Sequence, residues 1–136
     1  MRSTPKISEA EWEVMKVLWE SSPLTANEIV ETLSKGTRWQ RETIRTLINR
    51  LVQKKAVAFD RRGRQYHYYP VLAEAECVKA ETRSLLRRFR GGAIEPMLAA
   101  LVEEQRLSAE QVARLRQILD GEDPDAKPNR SRKNTP

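Results

Sequence analysis

One stretch of the chain, Thr37–Lys55, carries side chains of the types that contact nucleic acid. Apolar residues recur at helical spacing from Ile44 to Leu51, so one side of a helix is expected to pack inward. The opposite side is rich in Arg, Thr and Asn and holds one acid, Glu42. Such side chains can fork onto guanine, bind phosphate oxygens or touch a thymine methyl. The candidates for these contacts are Arg41, Thr43, Arg45, Thr46, Asn49 and Arg50.

A second basic cluster is predicted at the tip of a β-hairpin. The periodicity changes from helical to alternating after Lys55, and Ala56–Phe59 and Gln65–Tyr69 are typical of short strands. Gly63 supplies a positive-φ position for the turn between them. Three arginines around this turn repel one another unless a polyanion is near, which favours a phosphate-binding wing over a solvated loop. They are Arg61, Arg62 and Arg64.

Two short helices are predicted before the polar helix, and a capping box marks the start of each. Ser8-Glu9-Ala10-Glu11 begins a helix that is expected to run to about Ser21. Thr25-Ala26-Asn27-Glu28 begins a second, expected to end near Lys35 with Gly36 as its C′ residue. Two short helices, a tight turn and a third helix with a polar outer face form a helix-turn-helix.

Charge is distributed unevenly along the 136 residues. Residues 1–70 carry 13 basic and 8 acidic side chains, whereas residues 71–120 carry 8 of each. This asymmetry favours a front half (residues 1–70) that binds a polyanion and a back half (residues 71–120) that binds protein. We therefore expect a mainly α fold with a small β wing. The predicted parts are a winged helix-turn-helix DNA-binding domain over 1–70, a helical dimerisation domain over 71–120 and a disordered tail over 121–136.

Three amphipathic helices are predicted in the back half, at Leu72–Arg90, at Ala93–Glu104 and after the capping box Ser108-Ala109-Glu110-Gln111. The first is expected to bury the apolar residues Val78, Leu85, Leu86 and Phe89. Helices of this size cannot bury their apolar stripes well alone, so pairing with a second copy is expected. The residues assigned to that contact are Phe89, Leu98, Leu101, Leu115 and Leu119.

The composition argues against several other classes of protein. One histidine, His67, and one cysteine, Cys77, leave no cluster of metal ligands and no intramolecular disulfide, so no metal and no cofactor are expected. No nucleophile–base pair, carboxylate pair or Gly-rich phosphate loop is visible, which argues against an enzyme. Apolar runs fall short of the roughly 20 residues of a membrane span, and no signal-peptide core is seen, so a cytoplasmic protein is expected.

The motifs together resemble those of the penicillinase-repressor family, bacterial winged-helix repressors that include the β-lactamase and methicillin-resistance repressors. The resemblance rests on ISEAEWEVMKVLW, LTANEIVETL, TIRTLINRL and RGRQYHY, and it continues through FRGGAIEPMLAALVEEQRLSAEQVARLRQIL. It covers Ile7–Asp120. It implies a homodimer whose third helix enters the major groove of a twofold-symmetric operator. The copper-responsive branch of the family depends on paired cysteines near the C-terminus, which this chain lacks.

The resemblance also implies how repression is lifted. Antibiotic-responsive members are cut by a membrane-bound sensor protease at an Asn-Phe bond in the dimerisation segment. Counting from Gly91-Gly92 without gaps places that bond at Ala100-Leu101. Leu101 keeps the apolar character, but Ala100 stands where the family has Asn. Cleavage there is one expected route to induction. The other is a ligand or partner that separates the helices without cutting.

Two further classes of function are compatible with a basic winged helix. One is a protein-docking module whose basic face binds an acidic partner. The other is a nucleoid-type protein that binds DNA without sequence choice. The arginine-rich wing and the Thr/Asn face of the third helix favour DNA over a protein partner. Comparing affinities for the promoter and for random DNA would separate a specific repressor from a general binder.

Overall fold

The structure is a computed structural model that describes residues 4–89, 92, 94–105 and 107–122. Over these residues it contains six helices and a three-stranded antiparallel sheet, which confirms the predicted fold class. The predicted disordered tail lies outside the described residues from position 123 onward, as does Gly91. In chain order the elements are α1 (Glu9–Glu20), β1 (Leu24–Thr25), α2 (Ala26–Ser34), α3 (Arg41–Gln53), β2 (Val57–Arg62), β3 (Gln65–Pro70), α4 (Glu74–Arg88), α5 (Ile94–Gln105) and α6 (Ala109–Leu119).

The predicted capping boxes start α1, α2 and α6. In α1 the Ser8 hydroxyl accepts a hydrogen bond from the Glu11 N–H, and the Glu11 carboxylate accepts one from the Ser8 N–H at 2.8 Å. Gly36 follows the C-cap residue Lys35 and is the C′ residue of α2, as predicted, but its φ lies outside the left-handed region. The Leu33 carbonyl at the helix end accepts from the Gly36 and Thr37 N–H groups at 3.1 and 3.0 Å and from the Thr37 hydroxyl at 2.9 Å.

The polar helix α3 is shorter than the sequence suggested, since it starts at Arg41 and ends at Gln53. Its end is closed by Lys55, which has a left-handed φ of 64°, and by a hydrogen bond from the Ala56 N–H to the Leu51 carbonyl. This is the Schellman arrangement, which usually uses glycine at the left-handed position. The chain therefore turns sharply from α3 into β2.

A single core holds α1, α2, α3 and the wing together. Leu18 of α1, Ile29 of α2 and Ile44 of α3 are fully buried at its centre. Each such side chain stabilises the fold by about 1.5–3 kcal/mol relative to an exposed position. Because Ile44, Leu47, Ile48 and Leu51 all point into this core, the polar face of α3 must point outward.

The wing is built by β2 and β3, and the sheet order is β1-β3-β2. Arg62 pairs with Gln65, so Gly63 and Arg64 form a two-residue hairpin loop. Gly63 has a φ of +64° and Arg64 does not have a positive φ, as in a type II′ turn. The two-residue strand β1 was not predicted, because it is too short to show an alternating pattern.

Helix α4 belongs to the front unit, not to the back half as predicted. The chain divides into two compact units, 1–88 and 89–136. Cys77 is buried in the front core, and burial raises the pKa of its thiol. The Trp19 indole N–H also donates to the Leu72 carbonyl at 2.8 Å. The predicted boundary after Pro70 therefore lies inside the front unit.

The predicted burial of the α4 stripe is wrong for the single chain. Val78 is 48% exposed, and Leu85, Leu86 and Phe89 are 40–41% exposed. The reason is geometric, since the side of α4 that holds Cys77 packs inward and these residues lie on another side. In the back unit, most large apolar residues of α5 and α6 are also exposed, Met97 and Val112 are half-buried, and no described residue is fully buried.

An ion pair between the half-buried Lys54 and the buried Glu11 joins the end of α3 to the start of α1. Glu11 is 1% exposed, and its carboxylate accepts from the Lys54 ammonium, which also donates to the Lys6 carbonyl at 2.8 Å. Burial alone would raise the pKa of the Glu11 carboxyl, but hydrogen bonds from Lys54 and Ser8 hold it below its ordinary value. The pair therefore stabilises the folded state when the carboxyl is ionised.

We expect Glu11→Gln to lower the free energy of unfolding at neutral pH by roughly 1–3 kcal/mol, because the substitution leaves the Lys54 charge without its partner. The folded-state pKa of Glu11 is depressed, so this stabilisation is present above the unfolded-state pKa of about 4.3. It is lost as the pH falls through the folded-state pKa, and the two proteins should converge there. Urea titrations across this range measure the effect. Glu13→Gln, at the exposed pair with Lys16, is the control and should change little.

Candidate nucleic-acid interface

The polar face of α3 is exposed along its length. All six residues that the sequence singled out on this helix lie in solvent, on the side away from the core. The Thr46 hydroxyl donates to the Glu42 carbonyl at 3.0 Å, so its proton is already used. The Thr46 side chain can therefore contact a partner through its methyl group or as a hydrogen-bond acceptor. Asn49 lines a small cavity of about 90 Å³ beside Tyr68 and Arg45. The face thus presents donors, acceptors and a methyl group on a rigid helix.

Two arginines of α3 are held by a residue of α2. The Asn27 side-chain oxygen accepts from Arg41 Nη1 at 3.1 Å and from Arg45 Nη2 at 3.0 Å. In the sequence, Asn27 was identified only as a member of the capping box. Local spacing does not show that the start of α2 lies near the arginines of α3. The pairing of α2 with α3 in space is what reveals it.

The wing carries its three arginines in the exposed hairpin. Arg61 and Arg62 close β2, Arg64 lies in the loop, and Arg61 Nε donates to the Gly63 carbonyl at 3.2 Å. An aromatic stack supports this end of the sheet, since the rings of Phe59 and Tyr66 lie 4.4 Å apart at 23°. Such a stack limits how far the hairpin can bend.

A cleft of about 210 Å³ brings the α3 face and the wing together. Arg45 enters it from α3, Arg64 and Tyr66 from the hairpin, and Asn27 from the first turn of α2. Tyr68 forms part of its floor, and burial raises the pKa of that phenol, which stays neutral. Two guanidinium groups and a helix N-terminus around one cleft make a strongly positive surface. Tyr66 is a residue of this site that the sequence did not identify, although its position two residues after Arg64 was a usable signal.

In the part of the chain that the structure describes, no group of three or more His, Cys, Asp or Glu side chains is placed to hold a metal ion. No described helix is both long and apolar enough to cross a membrane.

The residues assigned to dimer contact lie on the surface of the back unit. Leu98 and Leu101 of α5 are 43% and 51% exposed, and Leu119 of α6 is 74% exposed. Phe89 and Leu115 are also large exposed apolar side chains. The bond between Ala100 and Leu101 lies in the middle of α5, where both residues are exposed. A protease could bind that bond only after the helix opened locally.

Comparisons with known proteins point in one direction. The family model described as "Penicillinase repressor" matches residues 7–121. The penicillinase repressor of Bacillus licheniformis is 38% identical over 120 residues, which cover 88% of this chain and 94% of that protein. The methicillin resistance regulatory protein MecI of Staphylococcus aureus is 31% identical, with 85% and 94% covered. A solution structure of the monomeric form of Bacillus licheniformis BlaI in complex with the blaP half-operator is also similar. Its sequence is 41% identical, its TM-score is 0.50, and the match covers 56% of this chain and 93% of that chain.

Proposed function

The chain belongs to the penicillinase repressor family, and from this premise we propose that it represses transcription by binding a twofold-symmetric operator as a homodimer. Its class is that of DNA-binding transcriptional regulators, not enzymes. We place its action in the cytoplasm, where promoter DNA lies. The observation that carries the proposal is the cleft in which α3, the wing and the start of α2 present Arg45, Arg64 and Asn27 together.

In the proposed complex α3 lies in the major groove. Its exposed face has the side chains that read base edges there, since arginine pairs with guanine and asparagine with adenine. The wing arginines then reach the flanking phosphates, which fixes orientation without adding sequence choice. A protein-docking module would have no need of this division between reading side chains and phosphate-binding side chains.

Arg45→Ala or Asn49→Ala should leave the fold intact, because both residues are exposed. Where either side chain contacts a base edge, the substitution should weaken operator binding by about 1–3 kcal/mol and relax sequence choice at one position. Gel shifts with the promoter of the gene that encodes this chain and with random DNA measure both effects. Arg83→Ala, on α4, removes the same charge outside the cleft and serves as the control. Undiminished promoter affinity in both α3 variants would exclude α3 as the reading helix.

Dimerisation would supply the symmetry that the operator demands. Most of the large apolar side chains that the structure describes in the back unit are exposed, and a second copy of the same helices could cover them. Leu98 and Leu101 of α5 and Leu115 and Leu119 of α6 are the proposed centre of that contact. Linking two heads raises operator affinity through effective concentration, without any new contact to DNA.

Induction would follow from loss of the dimer. We propose cleavage near Ala100-Leu101 by a membrane-bound sensor protease, in a β-lactam-resistance or related operon, because a cut in α5 divides the apolar stripe. The helix must open first, so a variant with a more stable α5 should be cut more slowly. Cells treated with a β-lactam and followed by mass spectrometry should show fragments ending near Ala100. Promoter release with an intact chain would instead favour separation of the helices without cutting.

A further inference from the structure

One neutral side chain on α2 holds two of the arginines that are proposed to read DNA. Asn27 Oδ1 accepts from Arg41 at 3.1 Å and from Arg45 at 3.0 Å, and all three residues are exposed. We infer that Asn27 is a positioning residue that orients Arg41 and Arg45 for base contact and so sets sequence specificity. This inference rests on the proposed function.

Electrostatics explain why an acceptor is needed at this point. Asn27 is the second residue of α2, so both guanidinium groups that it binds lie beside the N-terminus of that helix. Helix N-termini carry partial positive charge, which disfavours a cation there. Without the Asn27 oxygen, the two arginines would separate into solvent. One carbonyl oxygen shared between them keeps Arg41 beside Arg45, which lines the same cleft as Arg64.

The chemistry of the amide suits this role better than a carboxylate would. An Asn oxygen fixes the guanidinium groups but leaves their positive charge undiminished, so the long-range attraction for DNA is retained. An Asp would form ion pairs with both arginines and compete with the phosphates. Each arginine has five N–H donors, and the bond to Asn27 uses one, which leaves donors free for a fork onto guanine.

Pre-ordering acts on specific binding in particular. Immobilising a flexible side chain on binding costs affinity, and a side chain already held in place avoids part of that cost. Non-specific binding depends mainly on charge, which Asn27 does not alter. The structure therefore assigns Asn27 a large effect on operator binding and a small effect on binding to random duplexes.

The test uses the full chain and a duplex that it selects from a DNA pool with a randomised segment. Asn27→Ala should bind the selected duplex about tenfold more weakly, as expected from two arginines that lose pre-ordering. Its affinity for the unselected pool and its salt dependence should match the parent's. Ser34→Ala, at the exposed end of the same helix, is the control. Asn27→Asp should weaken binding to both DNAs and flatten the salt dependence.

A double-mutant cycle separates positioning from a direct contact. If Asn27 acts through the arginines, Asn27→Ala should cost little in a chain that already carries both Arg41→Ala and Arg45→Ala. Additive losses would overturn the inference, as would unchanged or tighter binding of the selected duplex by Asn27→Ala. Failure of the proposed function looks different, since the parent chain would then enrich no sequence from the pool.

Discussion

Leu101→Asp is expected to convert the full chain to a monomer and to weaken operator binding by about 10²–10⁴-fold. Leu101 lies on the apolar stripe of α5 and is 51% exposed in the single chain, so the change should not disturb the fold of one copy. In the proposed dimer the same position is covered, and a carboxylate buried there without a partner is strongly unfavourable. The front unit keeps its core and its α3 face, so each head should still bind a half-site weakly.

Sedimentation at micromolar concentration and gel shifts on whole and half operators measure this result. Ala99→Asp adds the same charge to an exposed position on another side of α5, so it is the matched control and should stay dimeric. A parent chain that sediments as a monomer would contradict the dimer itself. A Leu101→Asp variant that remains dimeric would show that the contact is formed by other residues.

The local signals of the sequence predicted most of the front unit. Each of the capping boxes that begin at Ser8 and Thr25 spans only four consecutive residues. They therefore predict the starts of α1 and α2 without any tertiary contact. The spacing of Ile44 to Leu51 likewise set which face of α3 is buried. Both signals are short in range, because they depend on hydrogen bonds and periodicity within one helix.

Capping boxes and helical periodicity do not predict contacts between segments that are distant in the sequence. The bond between Trp19 and Leu72 ties α1 to the residues before α4, and Cys77 is buried in the front core. Neither could be predicted from spacing, so the boundary was predicted after Pro70, whereas the first compact unit ends after α4. A truncation after Pro70 should therefore unfold more readily than one after Arg88, which keeps these contacts. The link from Asn27 to Arg41 and Arg45 was missed for the same reason.

Replacing the three wing arginines with glutamine should weaken binding to all DNA sequences by similar factors. Arg61, Arg62 and Arg64 are exposed around the Gly63 turn, and the aromatic pair Phe59 and Tyr66 keeps the hairpin rigid without them. Each phosphate contact contributes nearly one unit to the slope of log affinity against log salt. With both heads of a dimer altered, the slope should fall by as much as about five units.

The salt dependence distinguishes a phosphate-binding wing from a solvated loop. The matched control replaces Arg83, Arg87 and Arg88 on α4 with glutamine, which removes the same charge from exposed positions away from the hairpin. Long-range attraction falls equally in the two variants, so any additional flattening in the wing variant measures contacts that the hairpin itself makes. Equal slopes for the two variants would mean that the wing arginines stay in solvent, and α3 would then have to fix the orientation of the head alone.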